Sequence, residues 1–197
     1  MVVRPRYIIA ELGICHDGSR DRWRSMIEAA VEAGADAIKG QWWSSPAAMA
    51  THRGGNLELF ERYQMPLEWL EDIPSMVDRM CTVYLPHDVS AIVDRVAKFK
   101  IGSWESEDDT LFLRYRQESE KDILISTGGW TDIQLKARCR PARCFYLHCI
   151  AAYPTAREDV QLGAIGRYGL DGFSDHTGLI RMGGYAALAG AQIIEAH

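Results

Sequence analysis

The sequence predicts a (β/α)8 barrel of the TIM type, shortened and ending at its eighth strand. Three observations carry this reading. Short apolar runs of strand length recur eight times along the chain, and each connection between them has helix-compatible spacing. Strand, helix, strand is the parallel crossover unit, and eight such strands close on themselves. The polar residues of these runs gather at their C-terminal ends, where barrels of this kind carry their chemistry.

The first strand is residues 7–12, ending in Cys15-His16-Asp17-Gly18. Ser19 reads as the N-cap of a helix whose apolar positions Trp23, Met26, Ile27, Ala30 and Val31 recur at three and four, and Gly34 closes it. Residues 36–41 form the second strand, 42–57 a long loop of functional type, and 57–80 a helical stretch interrupted near Pro66 and Pro74. The third and fourth strands are 81–85 and 98–103, each followed by helix, over 89–96 and 108–118. Residues 122–126 are the fifth strand, ending in Thr127-Gly128-Gly129, and 130–137 a helical turn or two. The sixth strand is 144–149, and a short helix covers 160–168. The last two strands, within 172–177 and 190–197, are apolar runs that each end in a histidine, around a small-residue helix at 180–189. Residues 1–197 read as one barrel domain.

Composition narrows the function. A net charge of −5 and a pI near 5.7 argue against a nucleic-acid surface. No apolar run approaches the ~20 residues of a membrane helix, and the start lacks a signal-peptide core. Five cysteines without paired spacing fit reduced thiols, hence a cytoplasmic protein. No eighth helix follows residue 197, against ~250 residues in a typical barrel. The outer face of strands one and eight then predicts a homodimer, with Trp42 and Trp43 or residues 57–80 closing the pocket across the interface.

The polar residues at the strand ends are Glu11 and His16, Lys39 and Gln41, His87 and Asp88, Lys100 with Ser103 and Glu105, Ser126 and Thr127, Tyr153, Ser174 to His176, and Glu195 with His197. A lysine inside a buried strand is costly unless it meets an anion. Lys39 and Lys100 are both of this kind; each reads as a structural ion pair or, with Ser103, Ser126 and Ser174, as part of a phosphate or carboxylate cradle. Glu11 and Glu105 are acid, base or hydroxyl-binding candidates. His176 and His197, at the ends of adjacent parallel strands, suit one metal ion with water or substrate in its other positions. The alternative makes His176 a turn cap and His197 only the last residue.

Seven separated stretches together resemble the sialic acid (N-acetylneuraminate) synthases and their legionaminate and pseudaminate relatives. They are Ile9–Gly18, Ala33–Gln41, Phe99–Glu105, Ser126–Gly128, Leu147–Pro154, Ser174–Thr177 and Ile194–His197. The resemblance implies a transferase that condenses phosphoenolpyruvate with an amino-sugar-like aldehyde, giving a 2-keto acid and phosphate. It implies Mn2+ or Mg2+ on His176 and His197, phosphoenolpyruvate on Lys39, Lys100, Ser103, Ser126 and Ser174, carboxylate roles for Glu11 and Glu105, and Gln41 and Tyr153 in the same pocket. Tyr84-Leu85-Pro86-His87, Ala151, Cys15 and Gly40 depart from the family pattern. The antifreeze-like C-terminal domain, which in the family supplies a sugar-binding arginine from a partner subunit, has no counterpart here, implying a compact or truncated member. Trp42 and Trp43 stand where they would stack on a sugar ring. The competing reading is a non-catalytic barrel that binds phosphoenolpyruvate or another anion, or serves in assembly.

Overall fold

In the computed structural model of the chain, which describes residues 6–137 and 139–197, eight parallel strands close a barrel in sequence order. They are β1 (Tyr7–Gly13), β2 (Ala37–Gln41), β3 (Asp78–Thr82), β4 (Lys98–Ile101), β5 (Ile123–Ser126), β6 (Cys144–His148), β7 (Gly172–Asp175) and β8 (Ile193–Ala196). Closure is the pairing of β1 with β8, where Tyr7 stands opposite Ile193 and Ala10 opposite Ala196. The connections carry α1 (Arg20–Glu32), α2 (Pro46–Arg53), α3 (Leu57–Arg62), α4 (Val89–Ile92), α5 (Thr110–Glu118), α6 (Asp132–Ala137), α7 (Gly163–Tyr168) and α8 (Met182–Leu188).

Strand side chains alternate between the barrel interior and the helices outside. At the N-terminal mouth the Tyr7 hydroxyl donates to Asp78 Oδ2 at 2.5 Å, and Lys98 Nζ lies 2.8 Å from the same oxygen. Above them Ile9, Ala37, Met80, Leu124, Leu147 and Ile193 fill the interior with apolar bulk. A third level is polar yet buried: Glu11, Lys39, Thr82, Lys100, Ser126, Ser174 and Glu195. The barrel is therefore a filled core, with buried polar side chains in the level nearest its C-terminal mouth. Outside it, Ile38, Cys81, Phe99, Ile101 and Ile125 pack with Trp23, Ile27 and Tyr115 from the helices, Phe99 stacking on Tyr115 at 4.2 Å. Each such large side chain contributes roughly 1.5–3 kcal/mol on burial.

Two expectations are corrected. Residues 42–57 are not a plain loop, because α2 occupies half of them. Ser45 accepts the Ala48 N–H, Pro46 is pre-set for the first turn, and Gly54 takes the left-handed φ of +63° that ends the helix. The stretch 57–80 is helical only over α3 and a 3-10 turn at Leu67–Asp72, and β3 begins at Asp78 instead of residue 81. The polar start of β3 hides the strand from a hydrophobicity count, since Asp78 is needed by Tyr7 and Lys98 at the mouth. The expected α1 cap is present, with Ser19 Oγ accepting from Arg22 N at 3.3 Å.

Gly40 also has a packing reason. A Cβ there would stand 3.1 Å from Trp23 Cη2 and 3.3 Å from Met65 Cε, so the Trp23 ring takes the space a larger β2 residue would use. Trp43, expected at the pocket, is 2% exposed and packs with Met49, Tyr84 and Phe60, donating to Phe60 O at 3.2 Å. Its ring belongs to the small core under α2 and α3. Trp42 is partly buried against the main core.

Candidate active site

The C-terminal mouth of the barrel opens into a cleft of about 200 Å3. Strand register builds its floor. Glu11 pairs across from Lys39, Gln41 from Thr82, Thr82 from Lys100, and Ser174 from Glu195, which gathers these side chains inside the C-terminal end of the barrel. Lys39 contacts the Glu11 carboxylate, donates to Thr82 Oγ1 at 2.9 Å, and reaches Glu195 Oε1 at 3.3 Å. Lys100 donates to Ser126 Oγ at 2.8 Å and lies 3.2 Å from Glu195 Oε2. Ser174 donates to that same oxygen at 2.6 Å, and Gln41 Nε2 donates to Glu11 Oε1 at 2.9 Å.

Two buried ammoniums thus face two buried carboxylates, and their surroundings drive the carboxylates apart. Burial opposes ionisation of both. For Glu195, Lys100 and Lys39 outweigh burial and hold it well below the usual carboxylate range. For Glu11, burial wins over Lys39, Glu195 adds to it, and the carboxyl is pushed up. Lys39 is buried too, but Glu11 and Glu195 keep its ammonium charged. The two carboxylates thus differ in proton affinity, Glu11 lying above the usual carboxylate range and Glu195 below it.

The histidines meet at the far wall. His176 and His197 rings are 4.6 Å apart, edge to face, and Tyr153 stacks on His176 at 4.0 Å. The 2.6 Å contact from His176 Nδ1 to Ile150 O needs the proton on Nδ1, which leaves the Nε2 lone pair facing the Tyr153 hydroxyl at 2.8 Å and Ser174 Oγ at 3.3 Å. Burial, then the neighbouring His197, lowers His176 to about 4, and burial lowers His197 as well. Both are neutral imidazoles at pH 7, and His197 is held by the Asp175 backbone. With Nδ1 anchored to a carbonyl, Nε2 accepts from the Tyr153 hydroxyl and is the nitrogen that a metal ion would take once that hydroxyl moves away. Among the described residues no group of three or more His, Cys, Asp or Glu side chains stands ready for an ion. An ion on these two rings would have to take its other ligands from water or substrate.

Of the other expected residues, Ser103 accepts the Gly128 N–H at 3.2 Å and sits 3.0 Å from Cys149 Sγ. It lines the cleft with Gln41, Ser126, Tyr153 and Ser174. Glu11 lies beneath the floor and Glu105 behind the wall, where Arg53 Nη2 holds its Oε1 at 2.7 Å. His16 is drawn away from the cleft altogether, fully buried between Trp23 and Trp69. Sequence reasoning gave no role to Glu195, the residue on which both lysines converge. A lone charge inside an apolar strand was its signal. Arg53, Tyr84, Trp104 and Glu107 also line the cleft and come from loops and a helix end, where no periodicity marks them.

A closed parallel (β/α)8 barrel with a buried lysine–carboxylate cluster and a neutral histidine pair at its C-terminal mouth is the class that this fold and site define. A model of the NeuB family matches residues 26–197, and the chain belongs to that family. It is 30% identical to the spore coat polysaccharide biosynthesis protein SpsE of Bacillus subtilis, over 98% of this chain and 59% of that protein. It is 30% identical to a pseudaminic acid synthase of Campylobacter jejuni, over 97% and 64% respectively. The chain thus spans about three-fifths of the length of these curated relatives. The crystal structure of an N-acetylneuraminic acid synthetase from Leptospira borgpetersenii, in complex with citrate, superposes with a TM-score of 0.85 at 25% identity, covering 98% of this chain and 73% of that one. No helix among the described residues is long and apolar enough to cross a membrane.

Proposed function

We propose that this barrel binds phosphoenolpyruvate and condenses it with a sugar-like aldehyde, forming a 2-keto acid and phosphate. The observation that carries this reading is the convergence of Lys39 and Lys100 with Ser126 and Ser174 on one cleft floor, beside Nε2 of His176. Lys100, Ser126, Ser103 and the Gly128 region hold the phosphate, and Lys39 the adjacent carboxylate. C3 of phosphoenolpyruvate forms the new bond to the aldehyde carbon, whose oxygen takes a proton and becomes a hydroxyl. Water adds to C2, losing a proton, and phosphate departs with the C–O bond electrons as the 2-keto group forms. Glu11, with its raised proton affinity, is the group that moves a proton, and Glu105 orients a hydroxyl. Gln41 and Tyr153 shape the pocket, and the Tyr153 hydroxyl moves off His176 Nε2 when the site is loaded. A divalent ion, Mn2+ or Mg2+, held by His176 and His197 would supply Lewis-acid polarisation of the aldehyde oxygen.

The family membership and the sialic, pseudaminic and spore-coat roles in its relatives' names support the class of reaction. We further assign the protein to the cytoplasm as a homodimer. Exposed Ile180, Tyr185 and Leu188 in the β7–β8 connection are apolar surface of the kind a second copy covers. Thermal shift with millimolar phosphoenolpyruvate, with and without manganese, tests the donor site. Wild type should be stabilised, and Lys100→Met should weaken binding by about tenfold, the loss of one charge-assisted contact. No shift in wild type rejects the reading.

A further inference from the structure

Ser106 lies one residue beyond the stretch Phe99–Glu105, in the 3-10 turn Glu105–Glu107 that follows β4, and it does not line the cleft. Its hydroxyl stands 2.8 Å from the carbonyl oxygens of both Ser103 and Ser126, so its one proton is shared between them. The Trp130 indole N–H completes the arrangement, 3.0 Å from both Ser106 Oγ and Ser106 O. Trp130 is itself half-buried, its ring 5.7 Å from that of Tyr146, and its backbone N–H donates to Thr127 O at 3.0 Å.

The place of these bonds gives them a use. The backbone ladder between β4 and β5 ends where Ile101 stands opposite Ile125. Beyond that pair, strand register no longer sets how far the Ser103 segment stands from Ser126. Ser106 spans this gap, since one side chain binds the backbone of both segments. Trp130, on the far side of the turn Thr127-Gly128-Gly129, holds that side chain in place.

The hydroxyls of Ser103 and Ser126 are oriented by other groups. Ser126 Oγ accepts from Lys100 at 2.8 Å, and Ser103 Oγ accepts the Gly128 N–H at 3.2 Å. A Cβ at Gly128 would come within 2.8 Å of Ser103 Oγ and 2.9 Å of Cys149 Sγ, so the packing around this hydroxyl has no slack. Direction and spacing are thus set by different residues. A binding constellation has to be held to within ~0.5 Å, and ordering it in advance removes that cost from binding.

Resting on the synthase reading above, we propose that Ser106, held by the Trp130 indole, is a positioning residue for the phosphate end of the cleft, fixing the spacing between Ser103 and Ser126. It touches no ligand. It acts on two residues that do, through their carbonyl oxygens, and so keeps the paired hydroxyls at one separation before phosphoenolpyruvate arrives.

The test is calorimetry of phosphoenolpyruvate on the full chain with manganese. Ser106→Ala should weaken binding about tenfold, the scale of one ordering contact. Trp130→Phe keeps a ring beside Tyr146 but lacks the N–H, and should weaken it in the same direction, by about threefold. A double-mutant cycle separates positioning from general loosening of the fold. Once Ser103→Ala has removed one hydroxyl there is no spacing left to set, so adding Ser106→Ala should cost less than about twofold more. Wild-type affinity in Ser106→Ala or in Trp130→Phe would overturn the proposal. So would losses that multiply in the double variant, to about a hundredfold or to no binding at all, because Ser106 would then act independently of Ser103. Failure of the wild type to bind phosphoenolpyruvate would overturn the synthase reading and this inference with it.

Discussion

Lys100 Nζ lies 3.2 Å from Glu195 Oε2, although β4 and β8 stand on opposite sides of the closed barrel. The contact spans the interior, and Lys39 reaches the other oxygen of the same carboxylate at 3.3 Å. Glu195 is thus the electrostatic keystone of the polar level. Glu195→Gln leaves two buried ammoniums with Glu11 alone. Breaking a buried ion pair typically costs ~3–5 kcal/mol. Urea unfolding should show a loss of this order; a midpoint equal to wild type would remove Glu195 from that role.

The histidine pair makes a second prediction. His176→Ala and His197→Ala should each abolish manganese binding in calorimetry, while the far-UV circular dichroism of the barrel stays unchanged. The rings lie at strand ends above the apolar interior level, so their loss leaves that core untouched. Undiminished manganese binding in both variants would reject them as ligands.

His16 gives a pH dependence of stability. The Gly18 N–H donates to its Nδ1 at 3.0 Å, and the ring sits edge-on to Trp23 and Trp69 at 6.3 and 5.5 Å. Burial lowers its pKa below 6.5, against a smaller opposite pull from Asp17. The unfolded chain therefore takes the proton first. This contribution is complete above about pH 6.5 and is lost as pH falls from there through the folded-state pKa. His16→Phe should show a smaller drop in urea midpoint between pH 7.5 and pH 5 than wild type. The other buried histidines add to both slopes, so the difference between the proteins is what decides.

Gly172 is held by its neighbours. A Cβ there would lie 2.3 Å from Ile193 O and 2.6 Å from Leu147 Cδ2, and the first of these is backbone of the paired strand. Gly172→Ala must push β7 from β8, a strain of roughly 1–3 kcal/mol or more. Because Ser174 and Glu195 share that pairing, the variant should also lose phosphoenolpyruvate affinity. Wild-type stability together with wild-type binding would contradict this.

Much of the architecture was legible in the residues. Eight apolar runs with helix-spaced connections are enough for a parallel barrel, because only crossover helices let strands of that kind bury both faces. Ser19 and Gly34 marked α1 by local chemistry alone. The polar strand ends put Lys39, Lys100, Ser126, Ser174, His176 and His197 toward one rim, since strand ends in this fold share one mouth. Less legible were β3, whose polar start serves partners on β1 and β4, and α2, whose caps lie within a stretch that reads as loop. Only the tertiary structure set Glu195 between the lysines of β2 and β4, buried Trp43 under α2, and brought Arg53 onto Glu105. Local propensity and periodicity are written in neighbouring residues, whereas a buried charge takes its partner, its proton and its role from whatever barrel closure sets across from it.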